Sequence, residues 1–292
     1  MFYKSTGYRV FSAFNTAILL LLSIACVLPM IHILAVAFSG KAAANANLVN
    51  FWPVDFTTEA FRKTFDNRNF VRSLGISVYR TVLGTAIFLG LLLITSYPLS
   101  KEPHAFKGRT LYIWYFVITM LFSGGLVPSY ILIVKLGLNN TIWALVLPGA
   151  VDVFSLILML NFFRNIPKEL EEASLIDGAS HFVTLLRVYL PLSLPAIATL
   201  SLFTMVGHWN SWFDGMIYNT NGKNFPLATL LQTIIVQQDF SKITMNPKDL
   251  ADISNRTVKA AQIFIGALPI LLVYPFLQKY FVKGVILGAV KE

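Results

Sequence analysis

Long apolar blocks, rather than short alternations of apolar and polar residues, organise this chain. Six runs are apolar over about 20 residues, the length needed to cross a bilayer core of roughly 30 Å. They are Phe11–Phe38, Leu74–Ser100, Thr110–Val134, Thr141–Phe163, Tyr189–Phe213 and Ala260–Gln278. Lipid cannot satisfy backbone polar groups, so each run is expected to be helical. The first contains no Asp, Glu, Lys or Arg, and the fourth has Asp152 in its middle. Arg80 lies early in the second, near enough to the outer end to snorkel there. The pattern predicts an all-α integral membrane protein of six transmembrane helices, a single domain over residues 1–292.

Composition supports this reading. The chain is 56% hydrophobic and 13% charged, whereas soluble domains are roughly 25% charged. Lys4, Arg9 and the small residues Ala35, Val36 and Ala37 imitate a signal peptide. A signal core spans roughly 7–15 residues, however, and Phe11–Phe38 is far longer, so a retained helix is expected. If the six runs alternate, Lys4, Arg9, Lys101, Lys107, Arg109, Arg164, Lys168, Arg187, Lys279, Lys283 and Lys291 share one side. By the positive-inside rule that side is the cytoplasm, and both termini lie there. The net charge of +9 then reflects orientation and headgroup contact, with no nucleic-acid partner. Cys26 is the only cysteine, which excludes an internal disulfide and a cysteine-rich metal site.

Two outer loops are expected, at 39–73 and 219–259. The first mixes Phe51, Trp52, Phe56, Phe61 and Phe65 with Glu59, Arg62 and Lys63. Phe61 and Phe65 are four apart, as on one face of an interfacial helix. In the second, Pro226 can open a short helix, which either faces a soluble partner or packs on the domain's own outer surface.

The inner segment 164–188 is the most distinctive stretch. Pro167 can start a helix, and Glu169, Glu171 and Glu172 suit the positive end of its dipole. Gly178 can end that helix in the left-handed conformation, and Ser180 can cap a second one. Phe182, Leu185, Leu186 and Tyr189 follow the spacing of one apolar helical face. Pro191 and Pro195 should bend or restart the backbone beyond it. The expected product is an acidic elbow of two short helices, anchored on the fourth and fifth runs.

The order Glu172-Ala173-Ser174, Asp177-Gly178-Ala179, Leu190-Pro191 and Pro195 resembles the EAA signature of bacterial ABC importer permeases, with Ser174 in place of the second alanine. The similarity to the carbohydrate (maltose-type) branch extends over most of the chain, including WNSWFDGMIY and the ending KGVILGAVKE. The resemblance implies a type I importer architecture in the bacterial cytoplasmic membrane, with cytoplasmic coupling helices. It implies that Glu172, Ala173, Ser174, Asp177, Gly178 and Ala179 form the contact with an ATPase subunit. Glu172 would pair with a basic residue there, Gly178 would be the hinge, and Ala173 and Ala179 would pack against the cleft wall. The tail Gly284–Glu292 would run toward the ATPase dimer interface. The implied partners are a second homologous permease, two ATPase subunits, an extracytoplasmic substrate-binding protein and an oligosaccharide.

The chain has no G-x-x-x-x-G-K-[ST] phosphate loop, so ATP and Mg are expected only in the partner ATPase subunits. His32, His104, His181 and His208 are scattered, with no catalytic or metal-binding arrangement. Met205, His208, Trp209 and Trp212 recur at helical spacing on the fifth run. With Asn210 and Asp152 they are the candidate substrate path. Trp209 and Trp212 would stack on sugar faces or form an interfacial belt. Asp152 would face a water-filled cavity or make a helix–helix hydrogen bond. An ion-coupled secondary carrier using Asp152 is the competing reading, but it leaves the acidic elbow without a purpose.

Overall fold

The computed structural model describes residues 6–237 and 256–289, and all regular structure in them is helical. In chain order the helices are α1 (Thr6–Ala37), α2 (Lys41–Asn45), α3 (Glu59–Asp66), α4 (Arg68–Ser100), α5 (Arg109–Leu121), α6 (Leu126–Lys135) and α7 (Ile142–Gly149). Then come α8 (Val153–Arg164), α9 (Lys168–Ile176), α10 (His181–Leu192), α11 (Leu194–Asn210), α12 (Phe213–Tyr218), α13 (Leu227–Leu231) and α14 (Arg256–Ala289). By contacts the chain divides into two compact units, Met1–Val71 with Thr244–Leu268, and Arg72–Ile243 with Pro269–Glu292.

The core of the first unit is built from small residues. Ala35, Val36 and Ala37 at the end of α1 pack with Ala43 and Ala44 of α2, Ala60 of α3, and Val258, Ala260 and Ala261 of α14. Small side chains let helix backbones approach closely, which is how helices associate where lipid removes the hydrophobic drive. Elsewhere α1 is exposed and largely apolar. Its Thr16 and Ser23 hydroxyls return their hydrogen bonds to Ser12 O and Leu19 O, each at 2.8 Å. The expected helix in the first outer loop is present as α3, but Ala60 and Thr64 form its buried face. Phe61 packs on Phe38 with ring centroids 4.6 Å apart, while Phe65 is exposed. The two rings therefore do not act as one interfacial stripe.

The second unit has its main core between α4, α8, α10 and α11. Phe88, Leu92, Leu156, Met159, Phe163, Leu185 and Leu200 are all buried there. A second cluster joins Ile133, Ala144, Leu145 and Tyr218. Three helices, α1, α4 and the Arg256–Phe276 part of α14, are long and apolar enough to cross a bilayer, and three bent pairs raise the number to six if each pair counts as one crossing.

Two of those bends correct the expectation of continuous spans, and the third is an expected one. The third run breaks by 113° between α5 and α6, where Gly125 takes φ +83°, a conformation open mainly to glycine. The fourth bends by 50° between α7 and α8, just after Pro148-Gly149. The fifth turns by 83° between α10 and α11, at the prolines expected to bend it. Freed carbonyls at such breaks need other donors.

The second outer loop also differs from one expectation. The helix after Pro226 exists as α13, but Leu227 and Leu230 are almost completely buried and Thr229 fully so. Leu227 N–H donates to Ser77 Oγ at 2.7 Å. This segment is core, packed inward, and is not a face offered to a soluble partner.

Candidate functional site

The acidic elbow forms as local chemistry dictates. Pro167 precedes α9, and Glu169 and Glu171 sit in its first turn. The helix ends where Gly178 takes φ +81°. Gly178 N–H donates to Leu175 O and Ala179 N–H to Ser174 O, both at 3.0 Å, the bond pair of a Schellman turn. Ser180 then caps α10, its Oγ accepting from Val183 N–H at 3.4 Å. Ser174 and Thr184 hydroxyls are 2.9 Å apart, tying the two arms together.

The sequence-predicted coupling residues are brought together here. Glu172, Ala173, Asp177 and Gly178 are exposed, and Ser174 and Ala179 are half-buried. Among the described residues Glu172 has no ion pair. Beside it Ile176 is 86% exposed and Phe182 62%, so the elbow presents carboxylates next to bare apolar side chains. The face expected from Phe182, Leu185, Leu186 and Tyr189 is rotated. Thr184, Leu185 and Tyr189 are buried, while Phe182 and Leu186 are exposed. A π turn over Leu185–Tyr189 widens the spiral, and only one edge of that stripe meets the core. The tail Gly284–Glu292 lies outside the residues whose side chains are described.

Sequence reasoning missed the contacts that hold the elbow in place. Lys101, just past α4, donates to Glu171 Oε1 at 2.6 Å and to Tyr189 Oη at 3.0 Å. Tyr189 Oη–H donates to Glu171 Oε2 at 2.5 Å. The ammonium lies 3.7 Å from the Tyr97 ring centroid and 4.3 Å from that of Tyr189, within cation–π range. Tyr97 Oη is 3.2 Å from His181 Nδ1. Burial pushes the Glu171 carboxyl up, but hydrogen bonds from Lys101 and Tyr189 and the Lys101 charge outweigh it and hold the group below the usual carboxylate range. A cleft of about 500 Å³ opens beside this clamp, lined in part by Arg109, Arg164, Lys168 and Glu172. Only the charge of Lys101 at a predicted inner end hinted at the clamp.

The candidate substrate-path residues are not all together. A cavity of about 420 Å³ is lined by Arg80, Asp152, Ser155, His208, Ser211 and Asp214, among others. Trp209, Asn210 and Trp212 do not line it. Trp209 is buried within the chain, 7% exposed, and so offers little ring face for stacking. Trp212 lies beyond the end of α11, so the helical spacing that joined it to His208 does not apply. Asn210 is exposed at that helix end. Asp152 is not a mid-helix carboxylate either. It is the N-cap of α8, accepting from Ser155 N–H at 3.0 Å and from Ser155 Oγ–H at 2.5 Å. The bend in the fourth run turns a costly buried group into a capping one.

Arg80 does not snorkel. It is 2% exposed and forms a two-pronged ion pair with Asp214, with Nη1 to Oδ1 at 3.2 Å. It also donates to Ser211 O at 3.0 Å and Leu145 O at 3.2 Å. Ser211 follows the last residue of α11, and Leu145 lies where the α-helical part of α7 gives way to the turn at Pro148, so helical donors run out at both carbonyls. The His208 ring lies over Gly84, where a Cβ would come within 2.3 Å of Nε2.

Comparison with known proteins bears on the whole chain. Residues 104–287 match the family model of the binding-protein-dependent transport system inner membrane component. The chain is 40% identical over 283 residues to the protein LplC of Bacillus subtilis strain 168, covering 97% of this chain and 95% of that one. It is 38% identical over 288 residues to the polygalacturonan/rhamnogalacturonan transport system permease protein YtcP of the same strain, covering 97% and 99%. The crystal structure of a bacterial ABC transporter involved in the import of the acidic polysaccharide alginate superposes with a TM-score of 0.85 at 30% identity. The match covers 96% of this chain and 99% of that one. The exposed EAA-like elbow, the broken apolar helices and these matches agree: the chain belongs to the inner-membrane permease components of binding-protein-dependent transport systems, a transport subunit and not an enzyme.

Proposed function

We propose that this chain is one half of the translocation path of an ATP-driven oligosaccharide importer in the bacterial cytoplasmic membrane, with residues 1–292 acting as one permease domain. Its partners are a second, similar permease, two ATPase subunits that bind ATP and Mg, and an extracytoplasmic binding protein. Both termini and the elbow face the cytoplasm. The observation that carries the reading is the elbow itself. It is rigidly built by Gly178, Ser180 and the Lys101–Glu171 clamp, yet it leaves Glu172, Asp177, Ile176 and Phe182 exposed. A short rigid knob bearing carboxylates and bare apolar groups fits a basic-rimmed cleft on a soluble partner. The oligosaccharide assignment draws on relatives named for sugar polymers. Asp152 is used as a helix cap, which leaves the secondary-carrier reading without its coupling carboxylate.

The test is copurification and hydrolysis. An ATPase should accompany the chain, and its hydrolysis should respond to a sugar-loaded binding protein. Glu172→Lys and Gly178→Pro should abolish that response while the membrane fold persists. Uptake that runs on a proton gradient without ATP would refute the reading. A panel of neutral and uronic oligosaccharides, tested for binding to the assembled complex, identifies the substrate.

A further inference from the structure

Tyr97 and Lys101 stand four residues apart at the end of α4, on one side of its last turn. Both arms of the elbow reach these two residues. Glu171 of α9 bonds to Lys101, and from α10 Tyr189 bonds to Lys101 while His181 meets Tyr97. The elbow is thus joined non-covalently to α4, besides its chain continuity with α8 and α11. At the other end of the same stretch, Arg80 of α4 grips Leu145 O, Ser211 O and Asp214. Between Arg80 and Ser100 the helix rises about 30 Å, at roughly 1.5 Å per residue. Leu145, Ser211 and Asp214 all line the cavity that holds Asp152 and His208.

We propose that α4 is a rod linking the elbow to the cavity, with Tyr97 and Lys101 as positioning residues that fix one end and Arg80 with Asp214 fixing the other. A displacement of the elbow must either break the clamp or carry α4 with it. The clamp combines charge-assisted hydrogen bonds with a cation held between two partly desolvated rings, so it resists breaking. A shift of α4 then moves the two freed carbonyls and the Asp214 carboxylate, and with them the cavity wall. Coupling carried by a packed helix with a discrete contact at each end is measurable as non-additivity of substitutions at the two ends.

The inference rests on the importer reading above, and its test uses the assembled complex in lipid nanodiscs. The measured quantity is the ratio of ATP hydrolysis with and without the sugar-loaded binding protein. Lys101→Met and Tyr189→Phe should each lower that ratio, Lys101→Met by about tenfold or more, because it loses the charge-assisted bond to Glu171 together with the bond to Tyr189. The ATPase should still copurify with both variants. Lys101→Arg, which keeps the cation and its donors, should restore most of the ratio. The double variant Lys101→Met with Asp214→Asn should be no worse than the poorer single variant, because both sever one route. Multiplying effects, or a wild-type ratio in Lys101→Met, would overturn the rod. A wild-type complex that hydrolyses no ATP would instead overturn the importer reading, and this inference with it.

Discussion

Arg80 and Asp214 face each other as guanidinium and carboxylate, 134 positions apart in sequence, with the arginine side chain 2% exposed and the aspartate 23%. Removing Arg80 leaves the Asp214 carboxylate partly exposed and still accepting from Ser211 Oγ–H and Gly215 N–H, both at 2.8 Å, so the loss should be about 1–3 kcal/mol, below that of a fully buried broken pair. Arg80→Met should therefore lower thermal stability by that order, read as loss of the monodisperse peak after heating in detergent. The double variant Arg80→Met with Asp214→Leu should recover much of the loss, because no stranded charge remains. A double variant as unstable as the single would place the cost in the two carbonyls that Arg80 also serves.

The clamp at the elbow carries a pH signature through Glu171. Its folded pKa lies below the ordinary value of 4.5, because the hydrogen bonds and charge of Lys101 together with Tyr189 outweigh the opposing effect of burial. The carboxylate is thus favoured by folding. Its contribution is fully present above the unfolded pKa and disappears as pH falls through the lower folded one. Hydrogen exchange of 168–192 should show wild type better protected than Glu171→Gln by a constant margin from pH 7 down to the ordinary carboxylate range, and the margin should shrink as the pH is lowered further, through the depressed folded pKa. A margin that grows on acidification would contradict the ionised clamp.

Local chemistry makes the elbow readable. Pro167, Gly178 and Ser180 act over a few residues each, so a start, a stop and a cap can be recognised without tertiary knowledge. The apolar runs are equally plain, because six blocks of that length have few other uses. The breaks within them are not. Gly124-Gly125 and Pro148-Gly149 lie inside apolar runs that satisfy the same hydropathy pattern whether straight or bent. Asp152 is misread for the same reason. In a continuous helix it is a stranded charge, whereas after a break the order Asp152, then Ser155, is a cap. Arg80 with Asp214, and Lys101 with Glu171, join positions that no periodicity relates. The π turn in α10 shifts a correctly spaced face away from its expected side.

Gly178 is required for its backbone alone. A Cβ at that position would meet no atom within 4 Å, yet its φ is +81°. An L-residue there costs roughly 1–2 kcal/mol, with Asn the mildest. Gly178→Ala should raise hydrogen exchange across 174–184, and Gly178→Asn should do so less. Both should leave α8 and α11 unaffected. Equal protection in Gly178→Ala and wild type would mean that the Schellman turn can relax without loss.

Gly84 presents the opposite case, with no unusual φ but no room. A Cβ there would lie 2.3 Å from Nε2 of His208 and 2.7 Å from two of its ring carbons. The imidazole is half-buried beside the cavity that also holds Arg80 and Asp152. Gly84→Ala must push the ring aside or separate α4 from α11, and overpacking of this kind costs typically about 1–3 kcal/mol. The ring is a side chain and not backbone, so its removal should relieve the clash. Gly84→Ala should therefore lower the melting temperature in detergent, and adding His208→Ala should restore most of it. If the second substitution gives no rescue, the close approach lies between the helix backbones, and Gly84 is needed for the packing of α4 on α11 whatever residue stands at 208.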